Sequence, residues 1–162
     1  RSPREPCLII KIFDIINSVY IYNSSIVKKN NMNTKLDKIL AEISAGELID
    51  KITILEIKKL KITNKDKLIE VEKELLSLNE TKNKFILDEN KILKFQTELK
   101  NINLKLWDIE DGKRSAEKNN NFDKNFIELA RSVYKFNDER AKIKLAINNS
   151  LGSNIKEVKS YE

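Results

Sequence analysis

Apolar residues recur between Ile92 and Ile109 at alternating steps of three and four positions. They are Ile92, Phe95, Leu99, Ile102, Leu106 and Ile109. This spacing lines up their side chains on one side of an α-helix for about two and a half heptads.

A second long helix is predicted from the N-cap candidate Asp123 to about Asn149, with Gly152 as its stop. Its apolar face comprises Phe126, Ala130, Val133, Ala141 and Leu145. Two such helices joined by a short polar link are expected to pack as an antiparallel coiled-coil hairpin.

Two further helices are predicted before this hairpin. The stretch SAGELIDKITILEIKKLKI begins with Ser44 and has Glu47 three positions later, which is the pattern of a capping box. Apolar residues cover more than one side of this helix, predicted over residues 45–62, so it should contact several neighbours. Helical spacing also predicts a helix over residues 65–78, with a turn region after it over residues 79–90.

The scarcity of turn residues supports an all-α fold. The 162 residues include three glycines and two prolines, whereas sheet proteins need such residues often. The sequence therefore predicts a helical bundle with a long antiparallel helical hairpin at its centre. Residues 38–43 and 155–160 alternate between apolar and polar side chains, so a minor two-stranded ribbon is a further expectation.

The first 31 residues differ in composition from the rest of the chain. They hold both prolines, whereas the single methionine, Met32, precedes a hydrophilic stretch. We therefore expect residues 1–31 to be an extension outside the domain and residues 33–162 to form a single helical domain. Lys11 and Asp14 interrupt the apolar run near the N-terminus, so neither a signal peptide nor a membrane span is expected. A cytoplasmic location is the resulting expectation.

The residue types present limit the chemistry that the chain can perform. It has no histidine and a single cysteine, Cys7, which excludes Ser-His and Cys-His pairs and thiolate metal sites.

The net charge is +6, but residues 32–162 hold 26 basic and 23 acidic side chains in a mixed pattern. Nucleic-acid binders usually concentrate positive charge, so nucleic acid is not an expected partner.

Two sets of polar residues are candidates for a functional site. Carboxylates at Glu47, Asp50, Glu110 and Asp111 have the spacing of paired acidic motifs on neighbouring helices, which could bind Mg²⁺. The candidates for ligand binding are Glu47, Asp50, Lys51, Arg131, Tyr134, Asn137, Asp138 and Arg140. Each set has a structural alternative: the acids could face solvent, and Asn137 could fix the register of two helices.

Two blocks together resemble a known family. These are ISAGELIDKITILEIKKLKI and the later segment that contains NLKLWDIEDGKR and FIELARSVYKFNDERAKIK. They are similar to a family of small bacterial and phage proteins defined as a domain of unknown function. The resemblance covers nearly all of residues 39–161 and directs attention to Thr53, Glu56 and Trp107 as well as the candidates above. It implies an association with surface polysaccharides and glycosyl transfer.

These observations favour a non-enzymatic helical interaction or assembly module. Its partner would be another protein or a second copy of the chain, and it would need no cofactor. The alternative is a Mg²⁺-dependent helical nucleotide hydrolase, or a protein that binds a phosphorylated or sugar-nucleotide ligand. The alternative gains support if its acids converge on one concave pocket and is excluded if they lie on separate exposed faces; these acids are Glu47, Asp50, Glu110, Asp111 and Asp138. The position of Arg140 relative to the first helix is the most informative further observation.

Overall fold

The computed structural model describes residues 39–158, and its regular structure is helical. These residues form four α-helices: α1 (Ala45–Lys61), α2 (Lys65–Phe85), α3 (Leu93–Lys118) and α4 (Lys124–Leu151). A short 3₁₀ turn, Glu89–Lys91, precedes α3. All of these elements belong to one compact unit that begins at Ala41. The predicted all-α bundle is therefore confirmed.

Helix α1 is the central element of the bundle and packs against α2, α3 and α4. Its buried apolar residues are Leu48, Ile49, Ile52, Leu55 and Ile57. The same core includes Leu99 from α3 and Ile147 from α4, which are both fully buried, and Ile86 and Ile92 from the segment between α2 and α3. A helix with three neighbours must bury residues on several sides, which explains why apolar residues cover more than one side of α1.

The predicted hairpin is present, since α3 and α4 form the most extensive helix pair in the fold. Ile92, Leu99, Ile102 and Ile109 of the α3 seam are buried as expected. The predicted face of α4 is partly wrong, because Leu145 is 43 % exposed whereas Ile147 is fully buried. Helix α4 turns a different side toward α1 and α3, and polar residues occupy much of that side.

Two local predictions are wrong. Helix α2 extends to Phe85, beyond the predicted end at residue 78, because residues 79–85 contain no glycine or proline and include good helix formers. The two-stranded ribbon does not form over residues 39–43 and 155–158, which have no strand structure. Asn154, which directly precedes the second segment, donates a hydrogen bond of 2.8 Å to the Glu42 carboxylate of the first segment.

The predicted extension over residues 1–31 lies outside the described residues, as do Lys38, Lys159 and Ser160 of the expected ribbon. Over the described range, none of the helices combines the length and the hydropathy required to cross a bilayer.

Candidate functional site

A buried ion pair joins α1 to α4 in the middle of the bundle. The Asp50 side chain is 1 % exposed, and both of its oxygens accept hydrogen bonds from Arg140. The Nε atom of Arg140 lies 2.9 Å from Asp50 Oδ1, while its terminal nitrogen donates to Oδ2. This two-point contact fixes the guanidinium plane, because the fork of N–H donors matches a carboxylate.

Asn103 of α3 adds a third helix to this centre. Its amide nitrogen donates hydrogen bonds to Asp50 Oδ1 at 2.8 Å and to Thr53 Oγ1 at 3.0 Å. The Thr53 hydroxyl donates in turn to the backbone carbonyl of Asp50 at 2.8 Å. Buried polar groups are stable only when they are paired, and here each side chain satisfies another.

Arg140 also contacts Asn137, which lies three positions earlier on the same helix. A terminal nitrogen of Arg140 lies 3.4 Å from Asn137 Oδ1, and Asn137 donates to the Val133 carbonyl at 3.0 Å. The hydrogen bonds and the negative charge of Asp50 raise the pKa of Arg140, against the opposing effect of burial. Arg140 therefore remains charged at neutral pH.

A second ion cluster lies one helical turn away and centres on Lys144. The Lys144 side chain is 9 % exposed, and its Nζ lies 2.6 Å from carboxylate oxygens of Glu47 and Glu157. Burial lowers the pKa of Lys144, but the hydrogen bonds with Glu157 and Glu47 raise it by more. The predicted capping box is thus half correct: Ser44 Oγ accepts from the Glu47 N–H at 3.2 Å, whereas the Glu47 carboxylate pairs with Lys144.

The start of α1 fits tightly against α4. The Gly46 N–H donates to Asn148 Oδ1 at 2.6 Å, and the Ala45 N–H donates to Ser153 Oγ at 2.9 Å. A Cβ atom on Gly46 would collide with the Lys144 carbonyl. Since the first N–H groups of α1 are already bonded within the chain, this helix end is a packing contact and has no open donors for an anion.

A cavity of about 360 Å³ opens beside the Asp50–Arg140 pair, and we call it the Trp107 cavity. It is lined by Ile54, Asn103, Leu106, Trp107, Glu110, Asp111, Arg114 and Arg140. Helices α1, α3 and α4 all contribute to its wall. The structure thus brings Glu110 and Asp111 to the same cavity as Arg140.

The residues predicted to bind a ligand lie in the ion clusters, in surface ion pairs, or elsewhere on α4. Glu47, Asp50, Asn137 and Arg140 converge on the two ion clusters. Lys51 lies on the surface and pairs with Glu74 at 3.5 Å, while Arg131 pairs with Glu128 at 3.4 Å. Tyr134 is 58 % exposed, and Asp138 is half-buried.

The predicted metal ligands do not gather around one point. Glu47 and Asp50 make ion pairs with Lys144 and Arg140, whereas Glu110 and Asp111 line the Trp107 cavity. Within residues 39–158, no group of three or more acidic or cysteine side chains is placed to hold a metal ion.

Sequence reasoning missed Asn103, Lys144 and Glu157. Asn103 lies four positions after Leu99 and three before Leu106, which is the spacing of a buried helical face. Asn137, Arg140, Lys144 and Asn148 likewise recur at steps of three and four, so they form a polar stripe on α4. Glu157 has no such signal because its contact depends on the chain reversing direction after Gly152, which adopts the left-handed conformation.

Fold and site together define a class: an all-α protein whose central helix is joined to its neighbours by a buried ion pair and a polar stripe. The chain belongs to DUF6165, a family of unknown function, whose model matches residues 38–162. Comparison with curated proteins and with solved structures gave no match.

Proposed function

We propose that the protein is a non-enzymatic interaction module that self-associates through one end of its helical bundle. The observation that carries this proposal is a cavity of about 710 Å³, which we call the end cavity. It is lined by residues before and within α1, at the end of α2, between α2 and α3, and at and after the end of α4. Its apolar lining includes Ile43, Ala45, Leu48, Phe85, Ile86, Leu87 and Leu151.

The rim of the end cavity exposes large apolar side chains. Phe85 is 71 % exposed and Leu87 is 88 % exposed, although Ile86 between them is buried in the core. Contiguous exposed apolar surface beside a cavity is typical of an interaction site. Burying the Leu87 side chain in a partner would contribute roughly 1.5–3 kcal/mol, which is a substantial part of a dimer contact.

Charge complementarity supports a second copy of the chain as the occupant. The lining includes acidic Glu42 and Asp88 as well as basic Lys91. In a two-fold dimer each patch meets the same patch, so Lys91 of one copy can face Asp88 or Glu42 of the other. The exposed Asp88–Lys91 pair is long, at 3.7 Å, so exchanging it for a contact between copies costs little.

The contacts of the acidic residues favour this proposal over the Mg²⁺-dependent hydrolase. Asp50 binds Arg140 at two points, so a cation at that carboxylate would have to displace a buried, hydrogen-bonded guanidinium. Breaking such a pair is strongly unfavourable. The link to surface polysaccharides, which the family resemblance implied, remains a prediction about the pathway in which the module works.

Sedimentation velocity over a range of protein concentrations tests self-association. We expect a concentration-dependent dimer for the natural sequence and a marked loss of dimer for Leu87→Glu, which places a charge in the apolar contact. Leu76→Glu is the matched control, because Leu76 is 63 % exposed on α2 and does not line the end cavity. A monomer at every concentration, or equal effects of the two substitutions, would contradict the proposal.

A further inference from the structure

The Trp107 cavity combines two cations, two acids and an aromatic ring in one concave surface. Its volume of about 360 Å³ lies within the range of roughly 300–1,000 Å³ that is typical of small-molecule sites. Its wall is built on three helices that the Asp50–Arg140–Asn103 hydrogen bonds hold together. The cavity is distinct from the end cavity, which shares none of its lining residues.

Arg140 is suited to hold an anionic group in this cavity. Asp50 and Asn137 fix its guanidinium, yet 26 % of the side chain remains exposed and the residue lines the cavity. A side chain that is already fixed loses little conformational entropy when a ligand binds. Arg114 is an exposed residue that lines the same cavity, and the N–H fork of a guanidinium group matches the geometry of a phosphate.

Two acidic residues and a tryptophan line the same cavity beside these cations. Glu110 and Asp111 present carboxylate oxygens, which accept hydrogen bonds from hydroxyl groups and repel further negative charge. Glu110 is also held by Lys113 at 3.0 Å. Trp107 offers a large, rigid apolar surface against which a sugar ring or a nucleobase can pack.

We propose that the Trp107 cavity binds a phosphorylated sugar, either free or as part of a nucleotide. Arg140 and Arg114 bind the phosphate, Glu110 and Asp111 accept hydrogen bonds from sugar hydroxyls, and Trp107 packs against a ring. The two acids disfavour a ligand that carries several phosphates, because only two cations are present to balance them.

Tryptophan fluorescence provides a direct test, because Trp107 is the single tryptophan of the chain. The 162-residue chain is titrated with glucose 6-phosphate, with uridine monophosphate, with inorganic phosphate and with unphosphorylated glucose. We expect a saturable change in emission with at least one of the first two ligands, and much weaker binding of inorganic phosphate and glucose. Comparison of the first two ligands shows whether the sugar phosphate is recognised free or within a nucleotide.

A matched pair of substitutions separates binding from folding. Arg114→Gln removes an exposed cavity cation, whereas Arg131→Gln removes an exposed arginine on α4 that does not line the cavity. We expect Arg114→Gln to weaken binding by about tenfold and Arg131→Gln to leave it unchanged, since a charge-assisted hydrogen bond is lost only in the first variant. The proposal is overturned if neither phosphorylated ligand binds, if inorganic phosphate binds equally well, or if both substitutions have the same effect.

Discussion

Asp50 and Arg140 are 90 positions apart in the sequence, yet Arg140 Nε lies 2.9 Å from Asp50 Oδ1 in the middle of the bundle. The pair joins the central helix α1 to α4, and Asn103 extends it to α3. A buried pair of this kind contributes little net stability compared with apolar residues, but it strongly penalises any arrangement that separates its charges. We therefore predict that the pair, together with Asn103, sets the register of the three helices.

Asp50→Asn should destabilise the fold strongly, because it leaves the charge of Arg140 buried without its partner. We expect a loss of about 3–5 kcal/mol in the free energy of unfolding, measured by urea denaturation. The double variant Asp50→Asn/Arg140→Gln should lose less than the sum of the two single variants. Glu128→Gln, in the exposed pair with Arg131, is the control and should change stability by less than about 1 kcal/mol. Strict additivity of the two single variants would show that the pair is not energetically coupled.

Asn103→Leu should also destabilise the protein, although Leu has a similar volume. The substitution removes the hydrogen bonds to Asp50 and Thr53 and leaves buried acceptors without this donor. We expect a cost of about 1–3 kcal/mol, measured by thermal and urea unfolding. Asn101→Leu, at an exposed position of α3 two residues earlier, is the control. A stability equal to that of the control variant would show that the amide contributes nothing to the centre.

Gly46→Ala should destabilise the fold despite the higher helix propensity of alanine. The added Cβ would collide with the Lys144 carbonyl and lie 2.9 Å from Asn148 Oδ1, so α1 and α4 would have to separate. We expect a loss of about 1–3 kcal/mol in the free energy of unfolding, measured by urea denaturation.

Gly112→Ala is the contrasting variant for this experiment. Its Cβ would meet the flexible end of the Leu129 side chain at 3.0 Å, so the neighbour can move. We expect a neutral or stabilising effect of up to about 1 kcal/mol from helix propensity. If Gly46→Ala were as well tolerated as Gly112→Ala, the contact between α1 and α4 would be looser than the structure indicates.

The stability of the protein should fall at alkaline pH partly through Lys144. The pKa of Lys144 is raised in the folded state above the ordinary lysine value of 10.5. Its ion pairs therefore stabilise the fold fully at a pH below about 10.5, and this contribution is lost as the pH rises through the folded pKa. Urea unfolding at about pH 9 and about pH 11 measures the loss. Lys144→Met should show a smaller loss over this interval, because it has no charge to lose there. Equal losses in the natural sequence and in Lys144→Met would contradict this assignment.

The sequence by itself determined the helices and most of their apolar faces. Periodicity is a local property, so the steps of three and four from Ile92 to Ile109 predicted the α3 seam, and Ser44 predicted the start of α1. Predictions failed where local signals were weak, as at the end of α2 near Asn79, or where apolar residues lay on two sides of a helix, as with Leu145 and Ile147.

Only the tertiary structure decided which polar residues meet. Glu47, Asp50 and Arg140 were recognisable as candidates, but their partners depend on the rotation and relative height of helices that are distant in the sequence. An error of one residue in rotation moves a side chain by about 100° around its helix, so spacing alone cannot select Asn103 or Lys144. The packing of the apolar faces sets that rotation, and it therefore places Arg140 against Asp50 beside Trp107.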